Sequence, residues 1–151
     1  MGTQGKPVVL VTGGGAGIGR ACSLRFVQDG WRVLIADFSA EDGAKTEGQI
    51  RTQGGEAAFV RADVSVEADI VKAALEALRL WGRLDALVAN AGARVYGDLL
   101  EATEADWDKI IGVNLKGVAY SCRAVLPAMK EQKSGSIVVI SSANALVGRG
   151  G

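Results

Sequence analysis

The sequence contains no histidine. That removes the commonest general base, the usual metal ligand and every Ser-His-Asp or Cys-His nucleophile arrangement. Acid–base chemistry then falls to tyrosine, lysine or a carboxylate, and no metal site is expected. Cysteine is nearly absent: Cys22 and Cys122 are the only two in 151 residues. Each sits in a helical pattern without CxxC or Cys/His spacing, which predicts small core residues rather than a disulfide or zinc pair. Charge excess is also missing, since 17 Lys+Arg balance 17 Asp+Glu, and nothing points to nucleic acid as a partner. No apolar run reaches the ~20 residues of a membrane helix, and the opening "MGTQGKP" lacks the apolar segment of a secretory signal. The expectation is a cytoplasmic protein with no membrane partner, one domain over 1–151.

What is present is an alternation. Short β-branched runs, "KPVVLVT", "WRVLIAD", "EAAFVRAD" and "RLDALVAN", are separated by segments of helical period, "GIGRACSLRFVQDG", "SAEDGAKTEGQIRTQG" and "SVEADIVKAALEALRLWG". In the third helical segment Ile70, Val71, Ala74, Leu75 and Leu78 form an apolar stripe. Ser39 with Asp42, and Thr103 with Asp106, resemble capping boxes, and Gly30, Gly54 and Gly82 stand where helices end on a left-handed residue. A longer helical stretch runs from Thr103 to about Gln132, broken or kinked, before a fifth strand, "SIVVISS". Val8–Val11 and Ile137–Ile140 are continuously apolar, as strands covered on both faces require. The pattern predicts an α/β fold with a doubly wound parallel sheet.

The first strand runs into "VTGGGAGIGRACSLRF". Gly13, Gly17 and Gly19 bring backbone amides and a positive helix end to one spot, which suits a pyrophosphate. The spacing is TGxxxGxG rather than GxGxxG, and by itself such a loop fits a tight turn in any α/β protein. Asp37, closing the second strand, adds a carboxylate at the spacing where an adenosine ribose is met. It would accept hydrogen bonds from ribose hydroxyls and repel a 2′-phosphate, so NAD is preferred to NADP. Neither Ala16 nor Phe38 supplies a positive charge, while Arg20 and Arg32 lie near in sequence.

With TGxxxGxG and Asp37 in place, the chain resembles the short-chain dehydrogenase/reductase family from the first strand to Gly151. The resemblance implies a Rossmann-like sheet of about five strands in order 3-2-1-4-5, truncated relative to the family. It assigns cofactor contacts to Gly13, Gly15, Ala16, Gly17, Ile18, Gly19, Asp37 and Phe38. "ADVS" adds Asp63 and Val64 beside adenine, with Asp63 also readable as a helix cap, and "ANAG" adds Asn90, Ala91 and Gly92, although Ala89 stands where the family has Asn. Asn90 alone would read as a turn former. "VNLKG" contributes Val113 and Asn114; Asn114 reads either as a cap between two helices or, by analogy, as a helix interruption that frees a carbonyl for a proton relay. "GSIVVISSANALVG" assigns the catalytic serine to Ser142, which would hydrogen-bond the substrate oxygen.

The family's proton donor belongs to a YxxxK motif. Tyr96 and Tyr120 are followed four residues later by Leu100 and Ala124. The implied function is an NAD(P)-dependent oxidoreductase of alcohols or carbonyls, with this chain binding the dinucleotide but inactive alone. Two alternatives stand beside it: a non-catalytic nucleotide-binding or interaction module, and half of an active site completed by another polypeptide. "SIVVISS" as an apolar edge, with the helix bearing Asn114, predicts self-association or a homo-oligomer. Arg94, Val95 and Tyr96 are expected at the entrance of a substrate pocket.

Overall fold

The structure, a computed structural model, describes residues 5–142. Its elements run β1 (Val8–Thr12), α1 (Gly17–Gln28), β2 (Arg32–Asp37), α2 (Ala40–Thr52), β3 (Ala57–Arg61), α3 (Glu67–Trp81), β4 (Ala86–Ala89), α4 (Glu104–Ile111), a π-helical segment (Gly112–Lys116), α5 (Gly117–Gln132) and β5 (Ser136–Val139). All five strands are parallel in the order β3-β2-β1-β4-β5, the Rossmann-like topology expected.

Side chains alternate across each strand, so one apolar run feeds two cores. Val8, Leu10, Leu34 and Leu87 face α3 and α5, where Ile70, Val125 and Met129 meet them. Val9, Val11, Val33 and Ile35 face α1 and α2 and pack with Ile50. Each fully buried Leu or Ile is worth about 1.5–3 kcal/mol by area. Cys22 packs on the second core and Cys122 on the first, on opposite faces of the sheet, and both are free thiols.

Local signals behave largely as their chemistry dictates. The Ser39 side chain accepts from the Asp42 amide, and Thr103 with Asp106 forms a reciprocal capping box. Gly30, Gly54 and Gly82 carry positive φ at helix ends. Three details differ from expectation. The buried stripe of α3 is Ile70, Ala73, Ala74 and Ala77, whereas Val71 and Leu75 are exposed; small alanines let the helix approach the sheet, and the larger residues fall on its flank. The stretch from Thr103 does not break, because a π turn joins α4 to α5, with the Gly117 amide bonded to the Gly112 carbonyl five residues back. The fifth strand is shorter than expected, pairing with β4 over Ser136–Val139.

The order of strands places a switch point beside β1. The chain moves from β1 to β2 and β3 on one side, then crosses to β4 on the other. At the carboxyl ends of β1 and β4, paired at Thr12 and Ala89, the connecting loops diverge and leave a crevice.

Candidate dinucleotide site

That crevice is a cavity of about 550 Å³. Its glycine wall is built by close approach. Gly13 has φ +63°, and a Cβ there would lie 3.0 Å from both the Ala91 Cα and the Asn90 Nδ2. A Cβ at Gly19 would collide with the Gly13 carbonyl oxygen. No larger residue fits either position without moving the loop. The side chain of Asn90 locks this contact, donating from Nδ2 to the carbonyls of Thr12 (3.0 Å) and Gly13 (3.2 Å). The buried Thr12 hydroxyl accepts in turn from the amides of Asn90 and Ala91. Strand β1 and the loop after β4 are thereby tied together at the cavity floor.

Helix α1 begins at this wall with neither a capping side chain nor an acidic residue in its first turn. Its leading amides therefore lack a partner within the helix or from its cap, and the positive end of the dipole adds to them. An anion is the natural complement.

Beside the glycine loop, Asp37 accepts from the Gly15 amide (2.8 Å) through Oδ2 and from the Ser39 amide (2.9 Å) through Oδ1. A carboxylate has about four acceptor positions, so two remain for a ligand. Phe38, 63% exposed, lines the cavity with the Arg61 guanidinium 5.4 Å from its ring centre. Asp63 Oδ1 accepts from the Ser65 hydroxyl (2.6 Å) and amide (2.9 Å), while the Asp63 amide donates to Asp69. Asp63 thus organises the turn into α3 as well as facing the cavity.

Of the expected cofactor residues, Gly13, Ala16, Asp37, Phe38, Asp63, Val64, Asn90, Ala91, Gly92 and Val113 line this cavity together. Gly15 is buried behind Asp37, Gly19 behind Gly13, and Gly17 and Ile18 are exposed at the start of α1. Asn114 lies beside the cavity: its Oδ1 accepts from the Ala93 amide (2.8 Å) and its Nδ2 donates to the Ala93 carbonyl (3.0 Å). Ser142 is exposed, three residues past β5, and does not line the cavity. The rest of its motif, from Ala143, falls outside the described residues. Val95 and Tyr96 line a separate hollow with Trp107 and Ile110.

Sequence reasoning missed Lys109 and Asp108, which also line the cavity. Their signal was available, because Lys109 stands one helical turn before Val113 and shares its face. The two arginines that clouded the choice of cofactor are engaged elsewhere. Arg20 bonds Gln49 (2.6 Å). Arg32, at the far end of β2, pairs with Glu56 (2.8 Å), whose carboxyl is held below its ordinary range by hydrogen bonds from Lys6 and Arg32. The lining carries three carboxylates, Asp37, Asp63 and Asp108, against one cation, Lys109, among the described residues.

Comparison with known proteins agrees with this architecture. A family model described as short chain dehydrogenase matches residues 7–151. An uncharacterized oxidoreductase of Thermotoga maritima is 44% identical over 149 residues, covering 98% of this chain and 58% of that protein. A cyclopentanol dehydrogenase of Comamonas is 36% identical over 151 residues, covering 100% of this chain and 60% of that protein. A short chain dehydrogenase/reductase from Burkholderia phymatum, solved in complex with NAD, superposes with a TM-score of 0.93 at 33% identity, over 99% of this chain and 53% of its own. The chain thus spans roughly three fifths of the curated relatives it matches.

Proposed function

This chain belongs to the short-chain dehydrogenase family, and on that premise we propose that residues 1–151 act as one dinucleotide-binding domain of an NAD-dependent oxidoreductase acting on an alcohol or carbonyl. The observation that carries the proposal is the cavity at the switch point, lined by a tightly packed glycine loop and by Asp37, whose carboxylate is bonded to that loop at Gly15. The residues fit the group. The glycine loop and the uncapped start of α1 suit a pyrophosphate, Asp37 suits an unphosphorylated ribose, and Phe38, Asp63, Val64 and Val113 offer a partly apolar slot for adenine. The acidic lining favours NAD over NADP, since a 2′-phosphate would sit among carboxylates. When bound, the nicotinamide supplies the hydride acceptor or donor.

The chain's own residues then have separable tasks. Asn90 fixes the glycine wall, and Asn114 fixes the backbone of Ala93 at the cavity's edge. Ser142 is the candidate to hydrogen-bond the substrate oxygen. The proton must come from another group. Tyr96 and Tyr120 lack the lysine four residues on that would lower a phenol's pKa by its charge. Residues 1–151 alone are therefore expected to bind the dinucleotide without turning over.

Titration calorimetry with NADH and NADPH tests the reading, beside a dehydrogenase assay over a panel of alcohols. NADH should bind, NADPH more weakly, with negligible turnover. Asp37→Ala should weaken NADH at least tenfold, the scale of one lost hydrogen bond to a charged group, and narrow the gap to NADPH. Unchanged NADH affinity in that variant would remove the ribose contact from the proposal. Robust turnover by the chain alone would overturn the inactivity.

A further inference from the structure

The serine and threonine hydroxyls inside these helices follow one habit with one exception. Ser23, Thr52 and Ser121 each donate to the carbonyl four residues earlier, those of Gly19, Gly48 and Gly117, the usual local outlet for a helical hydroxyl. Thr46, fully buried on α2, instead donates to the carbonyl of Gly15, 31 residues away, at 2.9 Å. Gly15 is the residue whose amide donates to Asp37 Oδ2. A hydrogen-bonded chain thus runs from Thr46 through the Gly15 peptide groups to the carboxylate and on to the Ser39 amide.

The packing around Gly15 leaves little slack. A Cβ there would stand 2.8 Å from the Gly43 amide nitrogen and 2.9 Å from Asp37 Oδ2, so the loop lies flush against the first turn of α2. Gly15 is buried, so removing the Thr46 hydroxyl takes a hydrogen bond from a buried carbonyl.

We propose that Thr46 is a positioning residue for cofactor selection: by holding Gly15 against α2 it fixes the Asp37 carboxylate in the orientation that meets a ribose and repels a 2′-phosphate. The proposal rests on the dinucleotide reading above. Thr46 is not among the residues that line the cavity; it acts through Gly15. Loosening the clamp lets Asp37 turn, which weakens both the attraction to NADH and the repulsion of NADPH.

The test compares the whole chain with Thr46→Val, which keeps the volume and removes the hydroxyl, and Thr46→Ser, which keeps the hydroxyl. Two readouts are used: amide hydrogen exchange at Gly15 and Ser39 in the ligand-free protein, and dissociation constants for NADH and NADPH. Thr46→Val should accelerate exchange at Gly15, weaken NADH about five- to tenfold and change NADPH much less, while Thr46→Ser restores both. An unchanged NADH-to-NADPH ratio in a folded Thr46→Val protein overturns the selectivity role. If Thr46→Val does not fold, Thr46→Ala takes its place: faster Gly15 exchange with a narrowed NADH-to-NADPH ratio would support the clamp, and parent-like exchange with an unshifted ratio would overturn it. Failure of the parent chain to bind either dinucleotide would overturn the ligand and with it the selectivity role, leaving exchange at Gly15 to report on the clamp as structure only.

Discussion

Asp85 shows what a single carboxylate does away from the cavity. It follows Leu84 into β4 and accepts from the Val8 amide (2.8 Å) and from Arg83 through both oxygens (2.8 and 2.7 Å). Burial pushes this carboxyl up, but the Arg83 and Val8 hydrogen bonds and the guanidinium charge outweigh it and hold it below the usual carboxylate range. A depressed folded value means stability that is present above the unfolded value and lost as pH falls through the folded one. Asp85→Asn is expected to lower the unfolding free energy by about 1.5–3 kcal/mol at pH 7. The gap to the parent chain should narrow as pH falls below about 4, the unfolded value. Urea unfolding at pH 7, 5 and 3 measures it, and a gap independent of pH would assign the effect to shape rather than charge. At this scale the sequence was legible where a residue's type is unusual for its place, as with the glycines before α1 or an acid ending β2. Thr46 was not legible, because a threonine in a helical pattern carries no mark of whether its hydroxyl turns to its own helix or to a loop 31 residues away.

Among the elements, the π turn decides which residues of the α4–α5 unit reach the cavity. Asn114 signalled an irregularity as a poor helix former, yet the sequence could not distinguish a break from a wide turn. That difference lies in whether the helices on either side stay coaxial, and tertiary packing settles it. The π segment adds a residue to the turn, so α4 presents Lys109 and, with the segment itself, Val113 to the cavity, while α5 keeps Val125, Ala128 and Met129 in the core. Deleting Gly112 should restore α-helical periodicity and rotate α4 by about 100° relative to α5. Because α4 buries no residue, the melting temperature should move by only a few degrees, whereas NADH affinity should fall more than tenfold as Lys109 and Val113 leave the cavity. Calorimetry beside thermal unfolding separates the two. Affinity equal to the parent's would show that this face of α4 does not contribute to binding. The α3 stripe teaches the same limit from another side. Periodicity located a buried face, with Ile70 and Ala74 on it, but extended it to the large residues Val71 and Leu75, while close packing on the sheet selected Ala73 and Ala77.

Across the whole molecule, strand order and the direction of the sheet followed from the alternation of apolar runs and helical segments, together with the family pattern. The consequences lie at the edges. Among the described residues, β3 closes one side of the sheet and β5 the other. β5 leaves Val138 49% and Val139 46% exposed. An apolar parallel edge offers unpaired backbone groups together with side chains that lose water on pairing, the combination that drives strand-to-strand association. β3 is better protected: its residues are largely half-buried, and the charged pairs Arg51–Glu47 and Arg79–Glu76 flank the cleft beside it. Self-association of this chain should therefore proceed through the β5 side. Sedimentation velocity from about 1 to 100 µM, bracketing the micromolar range of modest interfaces, is expected to show a concentration-dependent rise in mass. Val138→Lys should reduce it by placing a desolvated charge at the edge without disturbing a buried contact. Leu75→Lys, at the exposed flank of α3, serves as the control and should leave it unchanged. Equal loss of association in both variants would point to general solubility rather than the β5 edge, and a monomer throughout the range would show that the exposed strand is insufficient to recruit a second copy.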